Sequence, residues 1–143
     1  MKTIMCCLAL VALAVFTSAA FAQEPTLTSV EAKFDTTRDN KKQDTKLAVY
    51  LKNREGQEVG KSEGNGGVWD KHSSHSVTLQ VEGNPTKAEV AKGSVLLTFH
   101  PRGGDTWKFN YEVTLKFSDD SWIRKEVYGC VMDQYNTART DLL

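Results

Sequence analysis

Apolar and polar side chains alternate along most of the chain. Val30, Ala32 and Phe34 take every second position of one segment, Leu47, Val49 and Leu51 of another, and Val77, Leu79 and Val81 of a third. Val95, Leu97 and Phe99 repeat the pattern, and Phe109, Tyr111, Val113, Leu115 and Phe117 sustain it over the longest run. A period of two sends successive side chains to opposite faces of an extended backbone, so each segment predicts a strand with one buried face. Residues 122–132 predict a further long, less regular strand. Polar junctions at residues 54–57 (Arg-Glu-Gly-Gln) and 118–121 (Ser-Asp-Asp-Ser) predict hairpin turns. Residues 86–92, which carry Ala and Glu without alternation after Asn84-Pro85, predict one short helix at most. The expectation is an all-β fold, an antiparallel β-sandwich of seven to eight strands in two sheets, because faces of this kind leave water by packing on a second sheet. A small barrel is the alternative. Residues 23–27 and the last few residues are the pieces expected to be loose.

The first residues break the alternation and change the compartment. Lys2, an apolar run from Ile4 to Phe16 and the small-residue ending Ala20-Phe21-Ala22 predict a secretory signal peptide over residues 1–22. The run is shorter than the ~20 residues of a membrane span. Cleavage near Ala22 would leave a single domain, residues 23–143, exported and either secreted or periplasmic. About 120 residues suffice for one core that buries roughly two-thirds of the unfolded surface. Without Lys2 the chain carries 17 basic against 18 acidic residues, so no overall charge bias points to nucleic acid. Cys6 and Cys7 would leave with the peptide, and Cys130 remains alone, so no intramolecular disulfide can form. A buried thiol and an intermolecular disulfide are the two readings of Cys130; a strand edge is the other route to an oligomer.

If consecutive strands simply reverse direction, loops of equal parity share one end of the sandwich. That rule gathers the opening loop (residues 35–44), residues 62–72, residues 100–107 and the segment holding Asp133 and Asn136. Asp35, Asp39, Asp44, Asp70 and Asp105 then become candidate ligands for a hard cation, since calcium takes six to eight oxygens from adaptable loops. Arg38, Lys41 and Lys42 make the opening loop formally neutral, which weakens its attraction for a divalent ion. Aspartates that cap turns through neighbouring backbone N–H groups are the competing reading.

The stretches FDTTRDNKKQDTKLAVYLKN, GGVWDKHSSHSVTLQV and GGDTWKFNYEVTLKFSDDS resemble the PLAT domain family, and most closely its small secreted bacterial β-sandwiches. The resemblance runs from about Ser29 to Asp133. It implies eight strands in two four-stranded sheets, a role in binding lipid surfaces or protein partners, and in some members calcium held by loops at one end. Asp35, Asp39 and Asp44 match the acidic opening loop, while Trp69-Asp70 and Asp105-Thr106-Trp107 match the tryptophan-containing segments at the same end.

Other constellations are less productive. His72 and His75 lie three apart, a spacing that points them to opposite faces of a strand, so with His100 they do not make a transition-metal set. Ser73, Ser74 and Ser76 lie beside these imidazoles, but a hydrolase also needs an orienting acid and an oxyanion hole. Trp69, Trp107 and Asn136 are the candidate partner contacts, with a buried tryptophan whose N–H is satisfied as the alternative for each ring. The expected function is a non-catalytic exported binding module that contacts a protein partner or a lipid surface through one loop end, with calcium as the candidate cofactor. A structural or assembly subunit of an envelope or extracellular complex is the alternative.

Overall fold

Each alternating segment forms a strand. The computed structural model describes residues 23–143; the expected signal peptide lies outside the described residues. The elements run β1 (Leu27–Thr36), β2 (Lys46–Lys52), β3 (Glu58–Asn65), β4 (Ser74–Val81), α1 (Lys87–Val90), β5 (Ser94–His100), β6 (Thr106–Phe117), β7 (Trp122–Asp133) and β8 (Ala138–Leu142). No helix among the described residues is long and apolar enough to cross a membrane.

The strands form one nearly closed antiparallel sheet in the order β7-β6-β1-β4-β3-β2-β5-β8. It divides into two four-stranded halves, because β3 and β4 are joined only through Gly60 opposite Val81 and Lys61 opposite Gln80. By contrast β1 matches β6 in register from Leu27 opposite Phe117 to Thr36 opposite Phe109. The inward positions of both halves make one core. Val30, Ala32 and Phe34 of β1, Leu47, Val49 and Leu51 of β2, and Trp107, Phe109, Val113 and Leu115 of β6 have no exposed surface. Phe99 of β5 stacks on Trp107 of β6 across the halves, with centroids 6.1 Å apart. Burying each such side chain contributes about 1.5–3 kcal/mol, which is what holds the halves together where the ladder is thin.

The helix is a single turn. Thr86 caps it through a reciprocal pair, its hydroxyl accepting from the Glu89 N–H while Glu89 Oε2 accepts from the Thr86 N–H at 2.7 Å. Gly93 follows where β2 passes so close that a Cβ would lie 2.0 Å from the Lys52 carbonyl oxygen.

Two expectations about the chain ends are corrected at this lower end. Residues 23–27 are tied down: Pro25 O accepts from Lys87 N at 2.8 Å, and Leu27 N donates to Pro85 O at 2.9 Å. The last residues form β8, which pairs with β5 from Thr98 opposite Ala138 to Ser94 opposite Leu142, and Leu143 N donates to Gly93 O at 3.1 Å. Their polar sequence gives no apolar alternation; the backbone ladder makes the strand.

The edges are β7 and β8. Cys130 on β7 points inward with no exposed surface, the buried thiol of the two readings, so it cannot reach a second chain and the alternative, an intermolecular disulfide, is not available to the folded protein. Burial pushes its thiol up to about 11. The β7 edge itself carries Arg124, Lys125 and Glu126 and is bulged at Gly129, where φ is +66°, features that discourage edge-to-edge pairing.

Candidate functional site

Strands β1, β3, β5 and β7 end, and β2, β4, β6 and β8 begin, at the same end of the fold, as the parity rule predicts. Residues 37–45, 66–73 and 101–105 are bonded into one body there. Lys41 and Trp69 form an isolated bridge, N–H to carbonyl in both directions at 3.1 and 3.0 Å. Lys42 N donates to Asp105 Oδ2 at 3.0 Å, and Lys42 Nζ to Gly104 O at 3.2 Å. The loop after β7 borders them, with Thr137 O accepting from Phe99 N at 2.8 Å.

The five candidate carboxylates share this end without sharing a point. Asp35 lies on β1, not in the loop; it accepts from the Ser74 hydroxyl and lies 3.9 Å from Lys33 Nζ. Asp39 pairs with Lys108 Nζ at 2.8 Å, and that hydrogen bond holds its carboxyl below the usual range. Asp44 is exposed beside Lys46, His100 and Arg102. Asp70 accepts from Asn40 Nδ2 at 3.3 Å, while Asn40 Oδ1 accepts from Lys71 N at 2.7 Å. Asp105 is buried, with Oδ2 accepting from the Thr45 hydroxyl at 2.5 Å as well as from Lys42 N. Among the described residues no three His, Cys, Asp or Glu side chains form a group that could hold a metal ion. The carboxylates therefore do not meet at one point; four of them act locally, fastening turns and neighbouring strands.

A cation is nevertheless present between the loops, and the chain supplies it. Lys41 has no exposed surface. Its ammonium donates to Thr45 O at 2.8 Å, Gly67 O at 2.7 Å and Lys42 O at 3.5 Å, and lies 5.0 Å from the centre of the Trp69 ring. Burial pushes this ammonium down, and the charge of Asp105 opposes that. Asp105 Oδ1 is buried without a hydrogen-bond partner, an arrangement consistent with a carboxylate kept inside to compensate a charge. Carbonyl oxygens and a π face make a cation shell around a side chain, with the charge of Asp105 acting from beyond ion-pair distance.

The two tryptophans expected to meet a partner are core residues. Trp107 is fully buried, with Nε1 donating to Thr36 Oγ1 at 3.1 Å, and Trp69 is packed beneath His75 with ring planes 8° apart and centroids at 4.7 Å. Alternation explains Trp107, which is in phase with Phe109 and Tyr111; Trp69 is drawn in by its bridge to Lys41. Asn136 is exposed, but its side chain donates to Val131 O at 2.8 Å. The Ser73 hydroxyl lies 3.1 Å from His75 Nε2 and 2.6 Å from Asp70 O. Its single proton goes to that carbonyl, so His75 donates to Ser73 and is not placed as its base.

What this end offers to solvent is rich in charge and partly apolar. Arg38, Lys42, Lys46, Lys71, Arg102 and Lys108 surround it, against Asp35, Asp39, Asp44, Asp70 and Asp133. A groove of about 660 Å³ opens between Lys42, Lys71 and Lys108, with Asn40 and Asp39 on its wall. Val68 and Tyr135 project from the loops, 48% and 88% exposed. Sequence patterning singled out neither; a large side chain in a Gly- and Asn-rich loop, where no strand can claim it, was the signal available. The chain matches no family model, and no curated protein matches it.

Proposed function

We propose that the protein is a non-catalytic, exported binding module of PLAT-like type that docks its loop end on an anionic lipid surface. The observation that carries this reading is the pairing of exposed Val68 and Tyr135 with the six Lys and Arg side chains that surround them. An amphipathic ring and an aliphatic tip suit the headgroup boundary, while basic side chains gain about 1 kcal/mol each near an anionic leaflet. The two four-stranded halves support the PLAT-like reading. The neighbouring groove gives Lys42, Lys71 and Lys108 a concave place in which to meet a headgroup phosphate. Because the Lys41 ammonium stands between the loops, docking proceeds without a calcium requirement.

The test is co-sedimentation of residues 23–143 with phosphatidylcholine vesicles, with and without phosphatidylserine. Binding to the anionic vesicles that weakens with salt, persists in a chelator and falls in Tyr135→Ala and Lys42→Glu is the expected outcome. Equal retention on neutral vesicles, none on anionic ones, or indifference to both substitutions would refute the reading, and a strict calcium requirement would refute its metal-free form.

A further inference from the structure

The outer face of the β7-β6-β1 half carries a second surface, independent of the loop end. Side chains of even number on β6 and on β7 up to Tyr128 point outward, so Trp122, Arg124, Glu126 and Tyr128 form one row. Trp122 and Tyr128 are 61% and 69% exposed, among the most exposed aromatic rings of the described residues. Six strand positions separate them, roughly 20 Å at the rise of an extended chain. Two shallow depressions of about 250 Å³ each lie between, one reaching Trp122 and the other Tyr128, and both are lined by Arg124. They follow one another along β7, with an aromatic ring bordering each and Arg124 shared between them.

The floor between the rings is built of hydrogen-bonding groups held in fixed positions. Arg124 Nη2 bonds Glu112 on β6 and lies 3.1 Å from Glu126 Oε1, and the Tyr128 hydroxyl donates to Glu126. At the Tyr128 end, Asn110 Oδ1 accepts from Gly129 N at 2.8 Å, which anchors the bulge beside the ring. Lys33, Lys116 and Arg124 supply three positive charges, and Asp35, Glu112 and Glu126 three negative ones. A furrow with no net charge gives a polyanion no long-range attraction, which argues against nucleic acid.

We propose that this furrow binds a linear, uncharged polysaccharide. Sugar rings present a face of C–H bonds that stacks on indole and phenol, and a rim of hydroxyls that donate to carboxylates and accept from guanidinium and ammonium groups. An extended chain of such units matches two consecutive depressions along one strand, each bordered by an exposed aromatic ring, with charged hydrogen-bonding groups between the rings. Because both rings sit on one strand, the spacing of the platforms is set by the backbone and no loop has to order on binding.

Affinity electrophoresis of residues 23–143 through gels containing soluble hydroxyethylcellulose, followed by calorimetry with cellohexaose and cellobiose, tests the assignment. Retarded migration, tighter binding of the hexaose than of the biose, and a loss of roughly ten-fold or more in Trp122→Ala and in Tyr128→Ala are expected. Both rings are exposed, so the variants keep the wild-type melting temperature, and a matching thermal scan confirms that lost binding is not lost folding. The absence of retardation by the neutral glucan would overturn the proposal. So would stronger retardation by alginate, or binding that survives both substitutions. Vesicle binding through the loop end is unaffected by either variant, which separates this surface from that one.

Discussion

Replacing Lys41 by methionine keeps most of the buried stem and removes only the ammonium. Thr45 O and Gly67 O then lose donors at 2.8 and 2.7 Å, and a buried carbonyl left without a partner costs about 1–3 kcal/mol. Asp105, buried and already with one unpartnered oxygen, also loses a nearby positive charge that acts on it from beyond ion-pair distance. These terms describe the same ammonium and are not additive, so the expected loss is about 2–4 kcal/mol. Against a total of about 5–15 kcal/mol this is large, and it corresponds to a melting temperature lower by roughly 10–20 °C. Denaturant titration of residues 23–143 reads it directly. Lys108→Met is the control: it breaks the exposed pair with Asp39 and leaves the midpoint near wild type. Combining Lys41→Met with Asp105→Asn should cost less than the separate losses together, because the two charges compensate each other. A loss below about 1 kcal/mol in Lys41→Met would refute the reasoning, since an ordinary surface change does as much. Strict additivity with Asp105→Asn would refute the charge compensation. Millimolar calcium or a chelator should leave the wild-type midpoint where it is.

Two further outcomes follow from buried groups. The Cys130 thiol is raised to about 11, so the stability it contributes is complete below pH 9 and is lost as pH climbs through 11; the fall reaches about 2–3 kcal/mol, and Cys130→Ala should flatten the slope of stability against pH over that window even though the cavity lowers the whole curve. The same thiol should resist an aromatic disulfide reagent at neutral pH until denaturant is added, and rapid reaction of the native protein would contradict its burial. Tyr111→Phe removes the hydroxyl that donates to Asp141 Oδ2 at 2.6 Å across the two halves, while Arg139 still holds that carboxylate. A loss of about 1–2 kcal/mol, with faster amide exchange confined to β8, is expected; unchanged exchange there would show that the ladder to β5 holds the strand alone.

The strands were legible wherever one face is apolar. Phe109 through Phe117 announces β6 because each inward position is large and buried, and Thr86 with Glu89 announces the cap of the single helical turn. β8 was not legible: Ala-Arg-Thr-Asp-Leu alternates nothing apolar, and its strand character comes from the free side of β5, a partner far away in sequence. At the loop end, parity of direction placed the loops correctly, because the antiparallel connections reverse at every step. The roles of individual residues were harder. Asp39 and Asp105 are the same residue type in similar polar company, yet one is half-buried and paired with a lysine ammonium while the other is buried, held by one backbone N–H and one hydroxyl. Lys41 and Lys42 are adjacent and chemically identical, and only the approach of Trp69 and Gly67 decides which one is enclosed. Such distinctions are set by contacts more than twenty residues distant, which local pattern does not encode. Trp122 shows the reverse case, a tryptophan in a strand whose outward phase was readable from its neighbours Ile123 and Val127 but not from its own identity.

The hydrogen bonds that gather both chain ends opposite the loop end give the molecule a polarity. Pro25 and Leu143 both bond to residues 87–93, so the two ends of the described chain emerge side by side, a full strand length from Val68, Tyr135 and the lysine groove. Anything attached at either terminus, whether a purification tag, a solid support or a neighbouring domain, therefore holds the protein by its base and leaves the loops facing outward. The furrow from Trp122 to Tyr128 runs along the flank between these poles. A protein immobilised through its termini could thus present its tip to one surface and its side to another at the same time.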